Sequence, residues 1–322
     1  MTTAHTRRQF LARAGSCAAH LSAAAVLLPP AFRGRWPGRA IGRVVAEEPF
    51  ARLEQIAEGV WALISTPLGG DFTTICNGGL IAGRGGVLAI EGFGSPAGAT
   101  WLATKSRELT GKWPSHVVVT HYHSDHTEGL AGYGGSAGPV MIHATETTRT
   151  WVKDKNKPGD GSRDRALAEA MLIDPAKPGT IDLGGRTVRV VPRDGHTASD
   201  VSLEIDEPGV VFAGDLVWNG MFPNYMNAVP SKLNETVQAI RKAGAVRYVP
   251  GHGPMAEAAD VDRYLAMLGE VERAARQAHQ RGQPAAAAAA AYTVPASLGE
   301  WTLFAKSFVE VAFAAWYREL GA

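Results

Sequence analysis

Three histidines and an aspartate fall within six positions at 121–126, which read His-Tyr-His-Ser-Asp-His. The run directly follows Val117-Val118-Val119, an apolar stretch that reads as a buried strand. Neutral imidazoles and carboxylates are the donors that a divalent cation such as zinc accepts, three or four of them at about 2.0–2.2 Å. In a tight loop at a strand end, the alternate residues His121 and His123 can face one cation while Asp125 and His126 turn towards another. One loop cannot complete two coordination shells, so further donors have to arrive from other strand ends. His196 stands in Asp194-Gly195-His196-Thr197, after an apolar stretch at 187–191. Asp215 closes Ala213-Gly214-Asp215 after 210–213, and His252 lies in Pro250-Gly251-His252-Gly253 after 246–249. In each case a glycine precedes the donor and lets the backbone turn close to an ion. Two cations sharing a water lower its pKa to near neutral and aim it at an electrophilic carbon, so the chemistry on offer is metal-assisted hydrolysis.

The elements that must carry these donors can be read from the same sequence. Short β-rich segments at 60–65, 79–82 and 87–91 are separated by glycine-rich turns, and 96–110 has helical periodicity through Ala99, Leu102, Ala103 and Leu109. Strands at 117–119 and 140–142 are followed by helical stretches that 155–160 interrupts. Strands at 187–191, 201–205 and 210–213 come in quick succession, and a helix at 231–243 leads into 246–249. The pattern is strand-rich and then alternating, twice over, which predicts an α/β fold of two sheets with helices outside rather than one doubly wound sheet. Beyond 260 the chain reads as helical. Val261, Tyr264, Leu265, Leu268 and Val271 form one stripe, 285–291 are alanines, and Trp301, Phe304, Phe308, Val311, Ala312 and Ala315 mark one face of a final helix. That face serves core docking or an oligomer interface.

With these motifs in this order, the chain resembles the metallo-β-lactamase-fold hydrolase superfamily over about residues 50–260. The resemblance implies a four-layer αβ/βα sandwich with the metals at one edge and a C-terminal helical extension. Carried over position by position, it implies that His121, His123 and His196 hold a first metal, that Asp125, His126 and His252 hold a second, and that Asp215 bridges them. Two zinc ions are expected, with iron or manganese as substitutes, and Asp125 would also orient the attacking hydroxide as a weak catalytic base. The implied reaction is hydrolysis of an ester, thioester, lactone or amide in a small-molecule substrate. Members that open β-lactams usually have Cys or Ser where this chain has Asp215, so the glyoxalase II-like, lactonase and general hydrolase branches lead and β-lactamase is the runner-up. Behind these stand a mononuclear iron sulfur dioxygenase and a non-turnover accessory of a periplasmic oxidation system. The closing Trp316-Tyr317-Arg318-Glu319-Leu320 is similar to the C-terminal helix of exported SoxH-like members. Glu91, in Leu88-Ala89-Ile90-Glu91-Gly92, departs from the aspartate more usual there, and its extra methylene bears on whether both metal positions fill.

Charge divides the chain in two. The first 46 residues hold seven arginines (Arg7, Arg8, Arg13, Arg33, Arg35, Arg39 and Arg43) and no acid. Taking these from the 32 Lys and Arg of the whole chain leaves 25 basic against 31 acidic side chains, a net of −6 for residues 47–322. Arg7-Arg8-Gln9-Phe10-Leu11, followed by a modest apolar stretch at 18–28, resembles a twin-arginine export signal. That implies the twin-arginine export machinery as a partner, a periplasmic location and an acidic mature protein, with cleavage expected after Ala46 or near Ala31. The expected organisation is a signal peptide at 1–46, a catalytic domain at 47–260 and a helical extension at 261–322.

An acidic mature chain without a basic stripe argues against nucleic acid, and no apolar run is long enough for a transmembrane anchor. Composition, 45% hydrophobic and 20% charged, excludes a disordered chain. With Cys17 in the leader, Cys76 is alone and no internal disulfide can form. Trp218, Phe222 and Tyr225 follow Asp215 closely and are candidates for an apolar substrate wall, and 66–73 is a candidate flap. His116 and His143 read as a surface residue and a strand-end residue.

Overall fold

In the computed structural model, which describes residues 40–67, 70–134, 139–157 and 159–321, apolar side chains alternate between the two faces of the central strands. In β3 (Val60–Ser65), Val60, Ala62 and Ile64 face one core while Trp61 and Leu63 face another. A strand buried on both faces must lie in the middle of a layered fold.

The first sheet holds eight strands in sequence order: β1 (Arg43–Glu48), β2 (Ala51–Ala57), β3, β4 (Gly78–Ala82), β5 (Val87–Ile90), β6 (His116–Val118), β7 (Met141–Thr145) and β8 (Met171–Ile173). Pairing is antiparallel through β5 and parallel from β5 to β8. The parallel pairs need crossovers, which include α1 (Pro96–Thr110), the single turn α2 (Ser124–Thr127), α3 (Glu146–Lys155) and α4 (Ser162–Ala168). The second sheet is ordered β13 (Arg247–His252), β12 (Val210–Trp218), β11 (Val201–Ile205), β10 (Thr187–Pro192), β9 (Gly179–Asp182). Its one parallel pair, β12 with β13, is joined through α5 (Pro230–Lys242). The chain then runs through α6 (Ala258–Gln280), α7 (Ala285–Ala291) and α8 (Ser307–Leu320).

Three apolar layers result. Ile64, Ile90, Val118, Leu203, Phe212 and Val249 fill the space between the sheets. Leu63, Ala89 and Val117 pack outward against Leu102, Val152 and Leu167. Val211 and Ala213 pack outward against Leu233, Val237, Tyr264, Leu268 and Trp316. This is the four-layer sandwich expected from the sequence. The helices of 261–322 do not stand apart from it, since they close the outer face of the second sheet.

Several boundaries differ from the sequence reading. β1 crosses position 46/47, and just before it the Ile41 and Gly42 N–H groups donate to Glu54 Oε2 at 2.9 Å. The final helix begins at Ser307, so Trp301 and Phe304 precede it. Thr302 is held in extended form instead, its N–H donating to Gly220 O and its carbonyl accepting from Phe222 N–H, both at 3.0 Å. β12 continues to Trp218, placing Asp215 inside the strand, where register shifts on either side of Gly214 re-aim the side chains. Among the described residues, no helix is long and apolar enough to cross a membrane.

Phe212 spans the inter-sheet core, and Gly79 opposite leaves room for its ring: a Cβ there would lie 2.6 Å from Phe212 Cε1. Phe212→Ala is expected to lower the unfolding free energy by about 3–5 kcal/mol, measurable by denaturant titration.

Candidate metal centre

All seven donors expected from the sequence meet at one end of the sandwich, and all are buried. His121 follows β6, His123 caps α2, and Asp125 and His126 sit in its single turn. The loop after β10 supplies His196, β12 supplies Asp215 and the end of β13 supplies His252. Both sheets therefore contribute.

The donors form two groups, His121, His123, His196 and Asp215 in one and Asp125, His126 and His252 in the other, with each group's ligand atoms within 4.8 Å of one another. In the first, His123 Nδ1 lies 3.0 Å from His121 Nε2 and 3.1 Å from His196 Nε2. Asp215 Oδ2 lies 3.3 Å from His196 Nε2 and 3.9 Å from His121 Nε2. In the second, Asp125 Oδ2 is 3.5 Å from His126 Nε2 and 3.3 Å from His252 Nε2. The other Asp215 oxygen, Oδ1, is 3.1 Å from His126 Nε2 and 3.3 Å from His252 Nε2. Donors 2.0–2.1 Å from a shared ion in tetrahedral array lie about 3.3 Å from each other, so both groups have the spacing of coordination shells. Asp215 Oδ1, His126 Nε2 and His252 Nε2 are buried yet make no hydrogen bond. Their lone pairs converge on common points, and the donor set fits two divalent cations.

The surrounding residues fix how the rings point. His121 Nδ1 is 3.1 Å from Thr120 Oγ1, which donates to Glu91 Oε1 at 2.6 Å. His126 Nδ1 is 3.0 Å from the same Glu91 oxygen. One carboxylate thus turns the Nε2 atoms of two histidines towards the centre, and its longer arm, entered through a positive φ of 79° at Glu91, reaches both. His123 Nε2 is 3.0 Å from Asn227 Oδ1, leaving Nδ1 for the metal. Asn77 ties the end of β13 to the first sheet, its Nδ2 donating to Pro250 O at 2.9 Å and Gly253 O at 2.7 Å. Gly251 has to be glycine, since a Cβ would lie 2.0 Å from Asp215 Oδ1.

Protonation follows from burial against charge. Burial pushes His121 and His123 below the usual imidazole range and His196 down to about 3, which leaves neutral ligand nitrogens. Burial acts in the same direction on His126 and His252, but nearby negative charges outweigh it. His126 is driven well up by Glu91, Asp215 and Asp125, and His252 to about 9 by Asp215 and Asp125. Burial would raise Asp125, yet His126 and His252 hold it below the usual carboxylate range. The carboxylates call for positive charge at this spot, which divalent cations supply.

Three further expectations concern residues around this centre. Trp218, Phe222 and Tyr225 belong to the core between the second sheet and its helices. Phe222 and Tyr225 are fully buried in that packing, while the Trp218 ring lies 4.2 Å from that of His252 and backs it. Cys76, given no partner by the sequence, is buried beneath the centre and donates its thiol to Asp125 O at 3.1 Å, with burial pushing its pKa up to about 12. Of the expected flap at 66–73, residues 68 and 69 lie outside the described residues. Sequence reasoning missed Asn77, Asn227 and the Phe304 ring, 5.9 Å from His252.

The sequence profile of the Metallo-beta-lactamase superfamily matches residues 72–252, more than half of the chain and the span from before the first donor to the last. The chain belongs to that superfamily. Superfamily relatives include a "Beta-lactamase-like protein 2 homolog" of Caenorhabditis elegans, 23% identical over 61% of this chain and 63% of its own length. A hydroxyacylglutathione hydrolase of Anaeromyxobacter dehalogenans is 30% identical over 52% of this chain and 58% of its own. An acyl-coenzyme A thioesterase of Homo sapiens is 22% identical over 46% and 59%. The chain spans about three fifths of the length of these curated relatives. Among solved structures, a metallo-β-lactamase from Erythrobacter litoralis aligns with 70% of this chain and 99% of its own, with TM-score 0.56 and 20% identity, which shows a shared fold.

Glu91→Ala and Asn227→Ala are expected to weaken metal binding by about 10–100-fold each, with Glu91 the larger because it orients two rings. Competition against a chromogenic chelator measures both.

Proposed function

We propose that this protein is a hydrolase that uses two divalent cations, zinc by the nitrogen-rich donor set, to cleave an ester, thioester or lactone. The observation that carries the reading is Asp215, whose Oδ2 faces the three-histidine group while Oδ1 faces the second. A carboxylate in that position would hold both cations if they are bound. Bound cations would supply an activated water near neutral pH and a Lewis acid for the carbonyl oxygen. Asp125, kept ionised by His126 and His252, can accept a hydrogen bond from that water and set its direction. Glu91, Thr120 and Asn227 hold the rings still during turnover. Thioesters lead because two of the similar proteins are named for thioester substrates. β-Lactamase is second, since Asp215 replaces the Cys or Ser usual in members that open β-lactams.

Two metals per chain by elemental analysis, and chelator-sensitive cleavage of acyl-coenzyme A or hydroxyacylglutathione, are the expected results. Asp215→Asn should lose at least one metal and at least ~100-fold of activity. A single iron with oxygen uptake, or cleavage of β-lactams alone, would sink the thioester reading.

We further propose that the enzyme works in the periplasm. Arg7-Arg8-Gln9-Phe10-Leu11 supports this, although residues 1–39 lie outside the described residues. Because β1 begins at Arg43, cleavage near Ala31 keeps the strand whole, whereas cleavage after Ala46 cuts it. Arg7→Lys/Arg8→Lys is expected to leave the protein uncleaved in the cytoplasm, read by fractionation and intact mass.

A further inference from the structure

His116 opens β6, His143 lies in β7, and their rings meet at the end of the first sheet away from the metal centre. His116 Nδ1 and His143 Nε2 are 3.0 Å apart, with ring planes inclined by 32°. The metal centre holds its own nitrogens at the same spacing, 3.0 Å for His121 with His123 and 3.1 Å for His196 with His123. Four residues of chain separate His116 from His121, a step of roughly 16 Å in extended backbone, so the two places are distinct.

Strand register brings two thioethers to the same pair. Met141 stands opposite His116, and Val118 opposite His143. Met171 stands opposite His143 on the other side. Residues in register on neighbouring strands point to the same face, as do residues two apart on one strand. One face therefore carries Met141, His116, His143 and Met171 across three strands. Both methionines are exposed, 47% and 56%. A hydrogen bond between the rings accounts for the histidines but not for a thioether left in water on each side of them.

Donor chemistry selects the ion. Burial pushes His116 down and takes His143, with help from His116, down to about 4, so both rings are neutral at physiological pH and can act as ligands. Among the described residues, no carboxylate, thiol or third imidazole comes within 4.8 Å of both nitrogens. Uncharged donors offer little to a hard ion, and the thioethers favour a soft one such as copper(I). We propose that His116, His143, Met141 and Met171 form a second metal site, for copper(I), separate from the hydrolytic centre.

The test is an anaerobic titration of the full-length protein, carrying its resident metals, with copper(I) against bathocuproine disulfonate. Wild type is expected to take one more equivalent than His143→Phe. Met141→Leu/Met171→Leu should hold that equivalent at least ~10-fold more weakly, with the metal content of the hydrolytic centre unchanged in both variants. Equal uptake and affinity in wild type and variants overturns the proposal, as does full affinity in the methionine variant alone. If His143→Phe does not fold, the methionine variant, which alters only exposed side chains, decides the matter.

Discussion

Asp215 is a buried carboxylate whose Oδ1 makes no hydrogen bond, and the rest of the molecule is arranged around that fact. Its carboxylate is buried, one oxygen towards each donor group, with Asp125 and Glu91 buried close by. Removing one carboxylate from water costs several kcal/mol even after relaxation, and a whole domain is stable by only about 5–15 kcal/mol. Three such groups in one neighbourhood cannot be carried uncompensated. The upward shifts of His126 and His252, against the pull of burial, show the same demand for positive charge. A pair of divalent cations would meet it and free every imidazole to be a neutral ligand.

This demand places a geometric condition on the fold. The donors arrive from both sheets, so the gap between the sheets sets the distances between ligand atoms. Direct ties fix that gap at the site itself. Asn77 bonds to both carbonyls flanking the Gly251-His252 step, and Val201 N–H donates to Thr120 O at 2.8 Å. Thr120 is also the relay between Glu91 and His121, and a Cβ at Gly214 would lie 2.6 Å from its hydroxyl oxygen. The glycine before Asp215 is thus required by close approach and by a φ of +52° together. Packing further away, around Phe212, acts on the centre through the same spacing.

These constraints explain what could be read from the sequence. The donors were legible because imidazoles and a carboxylate crowded into six positions have few other uses, and because a glycine precedes each of the later three. The two-sheet architecture was legible from periodicity. Asn77 was not, because its partners lie 173 and 176 residues away and a lone asparagine carries no local signal. Cys76 and Asn227 were hidden for the same reason. For Phe222 and Tyr225 the sequence left packing and a substrate wall both open, because apolar residues after a metal ligand look alike whether they face a cavity or a helix. β1 escaped notice because its mostly exposed Arg-Val-Val-Ala-Glu-Glu has no apolar alternation, and its strand character comes from pairing with β2.

The superfamily match ends at His252, but the physical unit does not. His252 is the last donor, and it is braced from behind: its ring stacks on Trp218, and Trp218 meets Phe304 and Phe308 at 6.1 and 6.2 Å. Phe308 lies in α8, and Phe304 lies in the extended segment that Thr302 fastens to Gly220 and Phe222. The C-terminal segment therefore braces the candidate metal centre through Phe304 and Phe308, as well as closing the core over the second sheet. An imidazole free to rotate loses ligand geometry even when its backbone is intact. The segment that the sequence marks as an extension is, by its contacts, an outer support of the candidate metal centre.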